Sequence, residues 1–390
     1  MSAAEGEVNN VDMIPVEQKG AFHSFLKSLA SFSGDLSSLT CPAFLLAPVS
    51  LIEYSEYWTQ QPELFAAIPK SDDELERMVA FVRWFISSLN ASYSSRVPKG
   101  EWEKKPYNPV LGEQYFMTWG DVDGCGETKV TCEQVSHHPP VTGFYIHNEK
   151  AGLTLNGHTG QKTRFSGTSL ICDQVGQSLV TLNTRNGETY MFTSPSLTVN
   201  GIWYAAPYIE LTGTSYIQSS SGFYATIEYS SRGWISGEKN HFKCYIRKNA
   251  GSPKEYVCKM EGQWSAKSTL TKYGSKTSTP FLDVTQLKPA PMFVKDIEQQ
   301  GEMESRVIWQ KVSDAIRAGD TQTAGVEKSK IENQKRAEKA EREEKSLQWE
   351  PKYFHWVANE PTIQAHQRML VSVVKNKYDP PTAGNWVYKA

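Results

Sequence analysis

The chain has 390 residues, with 41 Lys and Arg against 43 Asp and Glu, a formal net charge of −2. That length suits one large domain or two ordinary ones, and so even a balance excludes a general nucleic-acid binder, which needs a net basic footprint. Attraction to an anion must therefore come from local clusters. The six cysteines contain no C-x-x-C pair, and "MSAAEGEVNN" has neither a basic n-region nor an apolar h-region. Together these predict reduced thiols in the cytosol. No stretch approaches the roughly 18–20 apolar residues of a membrane span, so any bilayer contact is expected to be peripheral.

Residues 1–20 are polar. Phe22, Phe25, Leu26, Leu29 and Phe32 then recur at helical spacing, with Gly34 as a stop. The helix so predicted either packs on a core or moves as a cover that also meets membranes, its polar face being Ser-rich and nearly uncharged. Helices are also expected around 50–66 and 72–92, the second with an acidic N-terminus. From about 113 to 270, short β-branched and aromatic runs alternate with turn signals such as Asn156-Gly157 and Asn186-Gly187. They predict an antiparallel meander, either barrel or sandwich. Helix is expected again over 294–318, followed by the charged helix "VEKSKIENQKRAEKAEREEK". The tail, with "KYDPPTAGNW", reads as irregular structure wrapping a surface.

Three constellations carry chemistry. In "CEQVSHHPPVTGF" the prolines Pro139 and Pro140 end a strand, leaving His137 and His138 at its tip. No Cys, Asp or Glu stands at metal-ligand spacing and no nucleophile motif accompanies them, so neither a metal site nor a catalytic triad is expected. The pair is either structural or built to bind an anionic group. "KKPYNPVLGE" brackets Lys105 and Asn108 with prolines, as an ordered turn or a preorganised binding loop does. On the charged helix, Lys328, Glu332 and Arg336 share one face, with cations fit to grip phosphate and a carboxylate to orient them or accept from sugar hydroxyls.

Taken together, "EQVSHHPP" (133–140), "KPYNPVLGE" (105–113) and "KSKIENQKR" (328–336) resemble the signatures of the oxysterol-binding protein-related family. "SFLKSLASFSGDLSSL" and the stretch around "SGFYATIEYS" look like its short, single-domain lipid-transfer members. The resemblance runs from about residue 20 to 350. It implies a mainly β fold with flanking α: a large near-complete antiparallel β-barrel around an apolar tunnel, an N-terminal helical lid and a C-terminal helical subdomain. The implied division is 1–35 for tail and lid helix, 36–112 for a helical segment and head-group loop, 113–287 for the barrel, and 288–390 for the C-terminal helical subdomain and tail.

By the same resemblance the chain is no enzyme and needs no cofactor or metal. It implies a monomer that meets membranes transiently, extracting and exchanging sterol and phosphatidylinositol 4-phosphate. It places the protein in the cytoplasm, peripherally at Golgi and endoplasmic reticulum membranes. The alternatives are a phosphatidylserine/phosphatidylinositol 4-phosphate exchanger and a lipid sensor without bulk transport. Lys105, Asn108, His137, His138, Lys328, Glu332 and Arg336 are expected around the phosphoinositide head group. Phe22, Phe25, Leu26 and Leu29 are expected in the lid, with Trp58 and Tyr93 lining the tunnel. Ser92 departs from the family, whose sterol-binding short members tend to carry Gln there.

Overall fold

Among the described residues the short β-branched and aromatic runs build one sixteen-stranded sheet, antiparallel at every pairing. This computed structural model describes residues 16–31, 41–98, 100–231, 239–252, 254–380, 382 and 384–389. Phe32 and Gly34 of the expected lid stripe lie outside them. Two parallel strands come first, β1 (Leu46–Ser50) and β2 (Lys105–Tyr107). The large sheet begins with β3 (Gln114–Trp119), β4 (Thr128–His137), β5 (Pro140–Asn148), β6 (Leu153–Phe165), β7 (Leu170–Val175) and β8 (Ser178–Leu182). It continues with β9 (Glu188–Phe192), β10 (Ser196–Asn200), β11 (Tyr208–Thr212), β12 (Thr214–Ser219) and β13 (Phe223–Ser230). It ends with β14 (His241–Lys248), β15 (Cys258–Gln263), β16 (Lys267–Lys272), β17 (Thr279–Asp283) and β18 (Met292–Phe293).

The ladder runs from β17 down to β12, across β9 and β8 to β6, and on through β5, β4 and β3 to β18, with β7, β10 and β11 branching off β6. Its end strands β17 and β18 are not paired to each other, so the sheet is an open ladder. The physical reason lies in the connection. β18 is two residues long, and Pro289 and Pro291 in its approach withhold backbone donors.

The turn signals divide. Asn186 and Gly187 take the left-handed conformation between β8 and β9. Asn156-Gly157 is no turn but lies within β6. A Cβ on Gly157 would meet Ser178 Oγ at 2.4 Å, so the missing side chain lets β8 approach. β4 does end at the histidines, with His137 paired to Pro140 across the turn.

Among the described residues seven α-helices flank the sheet: α1 (Val16–Ser31), α2 (Pro62–Ala66), α3 (Glu74–Asn90), α4 (Ser305–Ile308), α5 (Gln310–Arg317), α6 (Thr321–Glu344) and α7 (Pro361–Val374). The Asp73 carboxylate caps α3 by accepting from Glu76 N–H at 2.9 Å. The stretch expected as helix over 50–66 is mostly a 3-10 helix, Leu51–Thr59, because Pro62 can only begin the short α2 that follows. Over 294–318 a single 3-10 turn at Ile297–Gln299 comes first and α-helix starts at α4. Before it the chain turns at Gly301, whose N–H donates to the Glu304 carboxylate at 2.8 Å. The tail is more ordered than expected. α7 buries Ile363 and Leu370 in a cluster with Met191 and Tyr216, and β19 (Phe354–Val357) pairs with β20 (Asn385–Tyr388). The Phe354 ring lies on Gly143, where a Cβ would sit at 3.1 Å.

The main core gathers between α3 and the sheet, around Trp58, Phe81, Trp84, Phe85, Phe144 and Phe192. All six cysteines are buried and free. Among the described residues no helix is long and apolar enough to cross a membrane.

Candidate functional site

A cavity of about 300 Å³ opens between the sheet, the 3-10 helix that precedes α2, and α1. Its inner wall is mainly apolar and aromatic, with Leu51, Trp58, Tyr93, Leu197 and Val199. Trp58 is fixed by the stacked rings of Phe85 and Phe144 at 6.2 and 6.3 Å. Tyr93 exchanges hydrogen bonds with the Gln174 amide, whose Nε2 also donates to Pro195 O at 2.8 Å. Burial pushes the Tyr93 phenol up to about 12, so it stays neutral and offers a proton.

The apolar stripe of α1 covers this space. Phe22, Leu26 and Leu29 are buried against Ile202 and Ala205, and Phe22, Phe25 and Leu29 face the cavity. Leu26 faces the seat of the helix instead. Burying such side chains stabilises the cover by about 1.5–3 kcal/mol each.

Lys105 and Asn108 stand at the cavity edge. Lys105 Nζ donates to Asn108 Oδ1 at 2.7 Å. The loop between them is held from both sides. Tyr107 stacks on Trp309 at 4.6 Å, and a Cβ on Gly112 (φ +79°) would strike the Trp349 ring at 2.3 Å. The buried Glu113 carboxylate accepts from Val110 N–H (2.9 Å), Ser305 Oγ (2.8 Å) and Trp309 Nε1 (3.0 Å). The small core of Tyr107, Val110, Trp309, Val312 and Ala324 thus clamps this loop to α5 and α6.

That clamp brings the separated motifs together. Lys328 on α6 is close enough to Lys105 for its charge to act there. Burial first, and then this second cation, hold the Lys105 ammonium below the usual lysine range, while Cys41 and Glu332 oppose the shift. Glu332 pairs with Lys328 and lies 3.9 Å from the Arg336 guanidinium, which is largely exposed. His137 Nδ1 lies 3.1 Å from Pro109 O, and its ring contacts His138 at 4.6 Å. Burial, and next the neighbouring His138, depress the His137 imidazolium. The seven residues singled out for the head group therefore form one neighbourhood. Lys105 and Asn108 line the cavity, while His137, His138, Lys328, Glu332 and Arg336 flank them outside its lining. Three cations and two imidazoles around one carboxylate suit a multiply charged phosphate ester.

Sequence reasoning passed over several residues. Glu133, inside the histidine motif, is buried and accepts from Lys352 and Tyr353 N–H at 2.7 Å each, pinning the chain after α6 to β4. Gln134 and Thr142 line the cavity and hydrogen-bond to each other at 2.6 Å. Arg96 is held by Glu103 (2.5 Å) and lies over the Tyr54 ring at 4.4 Å, all three at the cavity wall. Gln134 lies inside a recognised motif and was findable. Arg96 and Gln174 sit in runs without any pattern.

The Oxysterol-binding protein family model matches residues 22–316. The chain is 42% identical over 373 residues to Protein kes1 of Schizosaccharomyces pombe, covering 95% of this chain and 94% of that one. It is 43% identical over 339 residues to Protein KES1 of Mycosarcoma maydis, with 85% and 86% covered. Among solved structures it is similar to the Osh1 ORD domain in complex with ergosterol, with TM-score 0.67, 19% identity, and 91% and 90% covered. It is also similar to the Osh3 ORD in complex with PI(4)P from Saccharomyces cerevisiae, with TM-score 0.65, 22% identity, and 85% and 86% covered.

Proposed function

The chain belongs to the oxysterol-binding protein family, and on that premise we propose that it is a lipid-transfer protein whose one cavity holds either a sterol or phosphatidylinositol 4-phosphate. The observation that carries this reading is the junction, in a single cavity, of an apolar wall and cover with the Lys105–Asn108 edge. A sterol needs apolar burial and one or two polar contacts, which Tyr93 and Gln174 offer. A phosphoinositide needs the same burial for its chains and a cationic rim for its head. Lys105, His137, His138, Lys328 and Arg336 supply that rim without making the protein basic overall.

On this reading the open sheet wraps the cavity as a near-complete barrel, and α1 is the lid of the tunnel. Glu332 holds the Lys328 and Arg336 side chains toward the phosphate and accepts from inositol hydroxyls. Both lipids place their apolar bulk in one space, so loading one displaces the other, and the protein exchanges them between membranes as a carrier rather than an enzyme. It works as a monomer that meets Golgi and endoplasmic reticulum membranes only transiently.

The test is extraction from liposomes. Replacing His137 and His138 by Ala removes charge-assisted contacts of about 1.5–3 kcal/mol each. Phosphatidylinositol 4-phosphate extraction is expected to collapse while sterol extraction persists. Equal loss of both lipids in a folded variant, or loss of neither, would refute the head-group assignment. A complex holding one of each lipid would refute exchange.

A further inference from the structure

The nine-residue 3-10 helix Leu51–Thr59 has two unlike faces. Leu51, Tyr54, Ser55 and Trp58 line the cavity. Glu53 and Glu56 lie outside that lining, in the seam where the helix meets β3 and α4. A 3-10 helix of this length is held mainly by its surroundings, because its own hydrogen bonds are poorly aligned. Two indoles pin its backbone, Trp119 Nε1 donating to Glu56 O at 3.1 Å and Trp84 Nε1 to Trp58 O at 2.8 Å. The rest of the hold falls to the acids.

Glu53 Oε2 accepts from Arg306 Nε at 3.0 Å, and its Oε1 lies 3.4 Å from Ser305 Oγ. That hydroxyl also donates to Glu113 at 2.8 Å, so two buried acids share one donor. Glu56 accepts from Tyr115 OH at 2.6 Å, and the same phenol lies 3.5 Å from the Arg306 guanidinium. Three carboxylates therefore gather along one seam, and its guanidinium is taken by Glu53. Around Glu56 stand Glu53, Tyr54 and Tyr57 of its own helix, Tyr115 of β3, Cys132 of β4 and Arg306 of α4. Burial keeps the phenols and the thiol protonated, with Tyr54 and Cys132 each pushed up to about 12.

We propose that Glu56 positions the cavity wall as a proton-controlled latch: protonated, it seats the 3-10 helix on β3 and retains the sterol; ionised, it loosens the helix and speeds release. Glu56 touches no lipid and acts through Tyr54, Ser55 and Trp58 on the other face. Burial, opposed first by the Tyr115 hydroxyl and aided by the Glu53 charge, raises its carboxyl from 4.5 to about 7. Once the helix loosens and water reaches the carboxyl, it returns toward 4.5. The seated form thus binds the extra proton. Its advantage is complete below 4.5 and is lost as pH rises through about 7. The link to lipid retention rests on the lipid-carrier reading; the proton-driven loosening does not.

Dissociation of labelled cholesterol from the full-length protein into cyclodextrin, followed from about pH 5.5 to 8, tests the latch, since the sterol has no group that titrates there. Release is expected to quicken about tenfold up to neutrality and then level off. Glu56→Gln, neutral throughout and still able to accept from Tyr115, is expected to keep the slow acid rate at every pH. Should it fold poorly, Tyr115→Phe, which removes the bond to the ionised carboxylate, is expected to carry the levelling-off to higher pH. Hydrogen exchange over 51–59 in the lipid-free protein, corrected for the intrinsic effect of pH, is expected to show protection falling over the same range in wild type and holding in Glu56→Gln. Release that does not change with pH overturns the proposal. So does a slope that Glu56→Gln retains or Tyr115→Phe leaves in place, and so does protection over 51–59 that stays level in wild type. A wild type that binds no cholesterol, yet loses that protection through Glu56 as pH rises, refutes the carrier reading alone and upholds the latch.

Discussion

Around Trp84 the interior is filled. Phe81, Phe65 and Phe192 surround its ring at 5.1, 5.2 and 5.7 Å, and its indole N–H donates to Trp58 O at 2.8 Å. Beneath α1 the interior is hollow, closed by the small cluster of Phe22, Leu26 and Leu29 on Ile202 and Ala205. Both sides are made of large apolar side chains, yet only one is packed to solidity. The difference teaches a division of labour. The filled side holds the fold whether or not a lipid is present, while the hollow side leaves apolar wall uncovered for a ligand to bury.

The strongest way to break that contrast is Trp84→Ala. Emptying this site is expected to destabilise the protein by about 3–5 kcal/mol in denaturant unfolding. A loss below about 1 kcal/mol would show that the filled side is no more rigid than the hollow one.

A proton probes the outer side of the same sheet. His366 on α7 is buried with Nε2 2.8 Å from Thr189 Oγ1, and burial depresses it from 6.5 to about 4. The folded chain then binds fewer protons than the unfolded one. Stability fully present above pH 6.5 is therefore lost as pH falls toward 4, by about 3 kcal/mol in all. His366→Gln is expected to flatten that slope, which unfolding series at several pH values would measure; an unchanged slope would assign it elsewhere.

Phe25→Asp sharpens the comparison from the hollow side. Phe25 is half-buried and faces the cavity, so a carboxylate there is expected to speed sterol dissociation about tenfold, worth roughly 1.4 kcal/mol, with the melting temperature nearly unchanged. Unaltered retention would make α1 a packed terminal element and not a cover.

The smallest effect belongs to α6. Lys339 and Glu343 pair at 3.7 Å with both side chains more than half exposed, so Glu343→Gln is expected to change stability by less than about 0.5 kcal/mol. A larger loss would give this solvated face a structural role that its exposure argues against.

What could be read from the chain alone was whatever neighbouring residues decide. Asp73 before an apolar-periodic run marks the start of α3. Pro139 and Pro140 stop β4 at the histidines, and alternating charges keep α6 helical in water. The family signatures likewise located the loop of Lys105, the histidine pair and the Lys328–Arg336 face. What the chain alone did not decide depends on partners distant in sequence. Asn156-Gly157 has the letters of a turn, but β8 packs against Gly157 and makes it strand. The tail has the prolines of a loose end, yet Gly143 and the cluster at Met191 give Phe354 and Leu370 somewhere to bury. The open ladder, the hollow under α1 and the lowered Lys105 ammonium exist only once far segments meet. Strand pairing, cavity volume and desolvation are sums over tertiary neighbours, and no local window of sequence contains them.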